Sequence, residues 1–143
     1  SMTTLNKYAA AVADRYPVHA STDVTGFGLL GHLHEMTRPD LTARVHAAAL
    51  PVIPAARGYA DGFYLTAAAQ RNRNFAAAWA RLRGLSFADE EIQFDPQTSG
   101  GLLFALDADV ADDFVREIAA LGLPCGKIGQ LLPRMDAAVI AEP

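Results

Sequence analysis

The sequence predicts an α+β fold: a mixed or antiparallel sheet with helices packed on it, in a single domain. Three observations carry this. Strand-like and helix-like segments mix along the whole chain, which calls for helices layered on a sheet. The 143 residues, 51% hydrophobic and 20% charged, can bury one globular core. No internal repeat, low-complexity linker or composition shift marks a second domain.

The elements follow in order. Ser1-Met2 reads as an expression remnant, so the domain runs 3–143. "TTLNKYAAAVADRY" over 3–16 predicts a helix, with Thr3 or Thr4 able to cap and Leu5, Tyr8, Ala9 and Val12 on one face. Pro17 ends it, and "VHASTDV" predicts a short strand. A second helix carries Phe27, Leu30, Leu33 and His34 and stops before Pro39. In "LTARVHAAAL", Leu41, Ala43, Val45 and Ala47 alternate with Thr42, Arg44 and His46, the pattern of a half-buried strand. Pro51 and Pro54 lead into a short helix over 55–61. "YLTAAAQRNRNF" is too polar to place, and 75–83 reads as helix closed by Gly84. "EEIQFDPQTSGGLLFALD" predicts a strand, a Pro/Ser/Gly loop and an apolar strand. "DADVADDFVREIAALG" predicts a helix capped by Asp107 or Asp109, with acids in its first turn and Gly122 past its end. "CGKIGQLLP" and "AAVIA" finish as strands joined by a polar turn at 133–136.

Net charge −4 disfavours a general nucleic-acid binder. No apolar run reaches the ~18 residues of a membrane span, and no signal peptide opens the chain. One cysteine, Cys125, excludes an internal disulfide framework and suits a reducing cytoplasm. It reads as a buried structural thiol between Pro124 and Gly126.

Two shaped loops concentrate the chemistry. In "STDVTGFGLLGHLHEM", Asp23 ends a strand and is followed by Thr25, Gly26 and Gly28. The glycines permit positive φ or close backbone approach. The carboxylate could hold a hard cation and through it phosphate oxygens; alternatively, Asp23 or Thr25 caps the following helix. In "DPQTSGGLLFAL", Asp95, Thr98, Ser99, Gly100 and Gly101 form a turn whose amides could nest an anion, or a plain connection with an Asx-turn at Asp95. The two glycines are expected to need positive φ. No Gly-Lys-Ser/Thr phosphate loop occurs. His32 and His34 point about 200° apart on a helix and cannot share a metal, so one packs and the other meets solvent. Arg71, Arg73, Arg81 and Arg83 form either a solvated basic face or an anion or partner contact.

Together, "TDVTGFGLLGHLHEM" and "FDPQTSGGLL" resemble the two signatures of the carboxy-terminal domain of selenophosphate synthetases (selenide, water dikinases), in the aminoimidazole ribonucleotide synthetase superfamily. "LNKYAA", "RNFAAAW" and "IGQLLP" extend the resemblance from Leu5 to the end. It implies the α+β fold of that domain. It also implies a two-domain parent, making selenophosphate from selenide, ATP and water with release of AMP and orthophosphate, using Mg2+. By the same resemblance an amino-terminal ATP-binding domain carries the catalytic Cys and Lys, leaving no catalytic residue here, and the parent is a cytoplasmic homodimer. Asp23 matches a magnesium-binding aspartate, and Thr25, Gly26 and Gly28 match the turn around it. Asp95, Thr98, Ser99, Gly100 and Gly101 match a loop facing the interdomain cleft. Arg73 and Asn74 match an Arg-Asn pair, but Ala69-Gln70-Arg71 replaces the family's Gly-rich turn before it. The rivals are another enzyme of the superfamily or a non-catalytic nucleotide- or partner-binding module.

Overall fold

The structure, a computed structural model, describes residues 2–143. Strand β1 (Val18–Asp23) pairs antiparallel with β4 (Leu102–Leu106) in a two-stranded sheet. Strands β2 (Leu41–His46), β3 (Ala80–Leu82), β5 (Gly129–Pro133) and β6 (Val139–Glu142) form a four-stranded mixed sheet in the order β3-β6-β2-β5. In it β6 runs parallel to both β3 and β2, while β5 is antiparallel to β2. Among the described residues six α-helices pack on these sheets: α1 (Lys7–Ala13), α2 (Gly28–Met36), α3 (Ala56–Asp61), α4 (Ala67–Ala76), α5 (Phe87–Phe94) and α6 (Ala108–Ala120). The α+β expectation holds, with the strands divided between two sheets.

The division also separates two cores. Leu30 and Leu33 of α2 pack with Val45, Phe94 and Val139 over the four-stranded sheet. Val12, Ala13, Phe114 and Ile118 join α1 to α6 over the outer face of β1 and β4, with Phe104 edge-on to Phe114 at 5.2 Å. The amphipathic pattern of α6 brings Phe114 and Ile118 inward, four residues apart on one face.

Several elements differ from expectation for identifiable reasons. The first helix is confined to Lys7–Ala13, so neither Thr3 nor Thr4 caps it. Asn6 stands at its N-cap position but sends its side chain to the Gly100 carbonyl (2.9 Å), and Leu5 and Tyr8 are exposed. Thr42, expected to face solvent, is fully buried: its hydroxyl donates to Ala137 O (2.6 Å) and accepts from Met135 N–H (2.8 Å). A satisfied hydroxyl can be buried on a central strand.

The expected helix over 75–83 stops at Ala76, and residues 80–82 form β3. Trp79 O there accepts from the amides of Ala138 and Val139, so sheet pairing overrides the helical preference of the alanines. The expected strand at "EEIQF" is the helix α5. Ser86 caps it through Asp89 N–H (3.1 Å), and Asp89 and Glu90 fill its first turn. The unplaced polar stretch is α4, capped by Thr66 through Ala69 N–H (3.0 Å). Asp107 occupies the N-cap position of α6, but its carboxylate bonds the His19 ring (2.9 Å), not a helix amide.

Candidate functional site

The antiparallel pairing of β1 with β4 determines where the two shaped loops meet. Asp23 opposes Leu102 at the last rung, so the chain leaving β1 and the chain entering β4 emerge at the same end. Two backbone bonds then stitch the loops together: Val24 N–H to Gly101 O and Gln97 N–H to Thr25 O, both 2.9 Å.

Two glycines permit this approach. A Cβ on Gly100 would stand 1.9 Å from Val24 O. Gly28 has φ +69°, and its Cβ would meet the Phe94 carbonyl at 2.8 Å. Gly26 and Gly101 face open space with no positive φ. The expectation for the second loop is therefore corrected: neither Gly100 nor Gly101 is left-handed, and the left-handed residue is Ser99, at φ 51°.

Three side chains missed as site residues hold the seam. Asn72 on α4 donates from one amide nitrogen to Gly26 O and to Phe94 O, both at 2.9 Å, tying the first loop to the end of α5. Asn6 reaches Gly100 O from the N-cap position of α1. His32, nearly fully buried, caps its own helix: its Nε2 accepts from Phe27 N–H (3.3 Å) and lies 3.1 Å from Thr25 Oγ1. Accepting at Nε2 places the ring proton on Nδ1, which donates to Glu35 at 3.0 Å. The signal for Asn72 was a polar residue inside an alanine-rich helix. The signal for His32 was its place one turn beyond the loop.

The capping reading of Asp23 and Thr25 fails. The cap position of α2 belongs to Phe27, with no side-chain cap from Asp23 or Thr25. Asp23 is exposed, and its carboxylate makes no hydrogen bond or ion pair with the described residues. It stands on the rim of the seam with all its oxygen lone pairs free. Across the seam Asp95 is half-buried; it accepts from Thr66 Oγ1 and Gln97 Nε2, both at 3.3 Å, and burial holds its carboxyl above the usual range. Thr98 and Ser99 are exposed on the same loop.

Other expected residues divide. Arg73 does not stand free. It pairs with Glu90 (2.9 Å) and buried Glu91 (2.6 Å) and lies 5.0 Å over the Phe94 ring, pinning α4 to α5. Asn74 is exposed and accepts from Gln70. The other arginines do not converge on an anion: Arg83 pairs with Asp136, Arg81 donates to the carbonyls of Ala77 and Ala80, and Arg71 is exposed. His34, expected with His32 to leave one ring in solvent, instead stacks on Trp79 at 4.0 Å, with its Nδ1 buried. Cys125, expected to be buried, is half-buried; its thiol donates to Val115 O, and desolvation raises its pKa.

Among the described residues no group of three or more His, Cys, Asp or Glu could enclose a metal. The seam is a pair of loops joined by backbone hydrogen bonds, with an exposed carboxylate and exposed hydroxyls on its rim. The fold is an α+β domain that carries this seam at one end of its two-stranded sheet.

The chain belongs to the family described as AIR synthase related protein, C-terminal domain, which it matches over residues 2–142. It is similar to the selenide, water dikinase of Agathobacter rectalis, with 50% identity over 140 residues, 97% of this chain and 41% of that protein. The selenide, water dikinases of Desulfitobacterium hafniense (strain DSM 10664 / DCB-2) and Pseudomonas aeruginosa are 45% and 41% identical, over 98% and 96% of this chain and 41% and 40% of their own lengths. The chain spans about two-fifths of the length of these curated relatives. A crystal structure of thiamine-monophosphate kinase from Stenotrophomonas maltophilia K279a shares the fold, with TM-score 0.53 and 24% identity over 85% of this chain and 31% of that one.

Proposed function

We propose that residues 3–143 are the carboxy-terminal domain of a selenide, water dikinase. The parent protein makes selenophosphate from selenide, ATP and water, releasing AMP and orthophosphate. The observation that carries this reading is the stitched seam. The two motifs that resemble the dikinase signatures are far apart in sequence, yet Val24 bonds Gly101 and Gln97 bonds Thr25 through the backbone at one end of the β1–β4 pair. The identity to proteins bearing that name supports it further.

Asp23 is the residue of this chain that would hold Mg2+. Magnesium takes near-octahedral oxygen ligation and keeps several waters, and a free, exposed carboxylate fits one place in that shell. The remaining carboxylates come from the amino-terminal ATP-binding domain of the parent, which also binds most of the ATP. Bound magnesium would neutralise charge on the transferring phosphates. The task of this chain is positional: Thr25, Gly26 and Gly28 set the Asp23 backbone, and Asp95, Thr98, Ser99, Gly100 and Gly101 form the facing rim. Arg73 contributes by pinning α4, with Asn74 beside it at the surface. The parent works as a cytoplasmic homodimer.

The test is Asp23→Asn. Its carboxylate has no intramolecular partner to lose, so the melting temperature of this chain should stay put, within about 0.5 kcal/mol of stability. In the parent, Mn2+ binding followed by electron paramagnetic resonance should weaken, and selenide-dependent AMP release should fall sharply. Unchanged metal affinity and turnover would remove Asp23 from the site.

A further inference from the structure

We propose that the aromatic face built by residues 53–65 with Phe87 is the docking surface for the amino-terminal part of the parent chain. Ile53, Tyr59, Phe63, Tyr64 and Phe87 are 59%, 60%, 75%, 78% and 42% exposed. The four rings fall into two pairs joined through the neighbouring residues Phe63 and Tyr64: Tyr59 meets Tyr64 edge-on at 5.9 Å, and Phe63 tilts against Phe87 at 5.3 Å. Contiguous large apolar groups in water mark an interaction site, whereas scattered ones mark nothing.

Backbone strain sharpens the point. Phe63 has φ +61°, the left-handed region that disfavours a Cβ, and it is held there by its amide bond to Ala60 O. Glycine would suit that turn at no conformational cost. A phenylalanine there, three-quarters exposed, is explained by contact with something outside this chain.

Two observations identify the occupant. The curated relatives are about two and a half times as long as the part this chain matches, so a parent chain of that length has a large remainder to dock. Part of the face reaches the seam: Tyr59 and Tyr64, though not Phe63 or Phe87, line a long groove that also takes in Asp95 and Ser99, and Thr66, two residues past Tyr64, bonds Asp95. A body seated on this face would therefore border the loops whose site it completes. The surface is mainly aromatic, with Arg57 paired to Asp89 at 2.8 Å and Asp61 exposed within the segment, so the complementary surface is mainly apolar with a polar or cationic group facing Asp61. The proposal rests on the two-domain reading above.

Hydroxyl-radical footprinting of this chain and of the full-length parent tests it, with Phe75, packed against Trp79, as an exposed control. Oxidation of Tyr59, Phe63 and Tyr64 should be several-fold slower in the parent, with Phe75 unchanged. The double variant Phe63→Ser, Tyr64→Ser should leave the melting curve of this chain unlowered while restoring fast oxidation of Tyr59 in the parent. Equal rates in chain and parent would overturn the proposal. So would concentration-dependent protection of this chain by itself, which would make a second copy the occupant. Selenide-dependent AMP release measured on the same parent separates the two claims. Protection without activity retires the dikinase reading and leaves the docking face standing, and activity without protection does the reverse.

Discussion

Asn72 and Gly100 do opposite jobs at one seam, and each makes a prediction. The Asn72 amide binds two carbonyls on different segments, so Asn72→Ala removes both bonds at once. The cost should be about 2 kcal/mol, read as a lower denaturant midpoint. Amide exchange should speed up in residues 26–28 and at the end of α5 together. Exchange rising in one segment alone would mean that the amide is not the link. Gly100→Ala drives a methyl into Val24 O and should cost about 2–3 kcal/mol. Gly101→Ala meets nothing within 4 Å and should be tolerated within about 0.5 kcal/mol. Paired glycines in a sequence do not say which of them is sterically required, because that depends on a carbonyl 76 residues away. Thr98→Ala with Ser99→Ala removes exposed hydroxyls and should leave this chain folded while impairing the parent's turnover; full turnover would reduce the loop to a connection.

Elements whose identity is written locally were legible. Helix α6 announces itself by its apolar spacing and by Gly122 at φ +73°, and β1 by its place between Pro17 and the glycine turn. The errors have two sources. Residues 80–82 became a strand because distant β6 pairs with them, whereas the helix over 87–94 was a local signal passed over: the Ser86 cap with Asp89 and Glu90 in the first turn. The site shows the same split: both loops could be read, but Asn72, Asn6 and His32 act through carbonyls, nitrogens and neighbours invisible in a linear pattern. Helix α2 carries a pH signature of its own. His34 lies against Trp79, and burial, followed by the nearby Arg134, pushes its pKa below the ordinary histidine value. A depressed histidine pKa means that the unfolded state binds the proton more readily. Its stabilising contribution is complete above about pH 6.5 and fades as pH falls below that value. Melting temperature should therefore drop between pH 7 and 5, and His34→Phe, which keeps the stack without the titration, should flatten that part of the profile. An equally steep profile in the variant would assign the acid sensitivity to other groups.

At the scale of the whole molecule, the order of strands matters more than any contact. In the four-stranded sheet the middle positions belong to β2 and β6, and Val139, Ile140 and Ala141 of β6 are fully buried between β3 and β2. A chain stopped at Asp136 would lack that strand, and it should show neither a cooperative melting transition nor dispersed amide resonances. A folded truncated chain would mean that β2 and β3 can close on each other. The same arrangement has a consequence during synthesis. A ribosome delivers the domain from its amino end, and the keystone of its larger sheet is the last of these elements to leave the exit tunnel. Until then the apolar faces of β2, α2 and α5 wait uncovered, so a holdase should find this domain at its most receptive in the interval before β6 emerges, and a pause that holds β6 back should lengthen that exposure more than a pause at any earlier element.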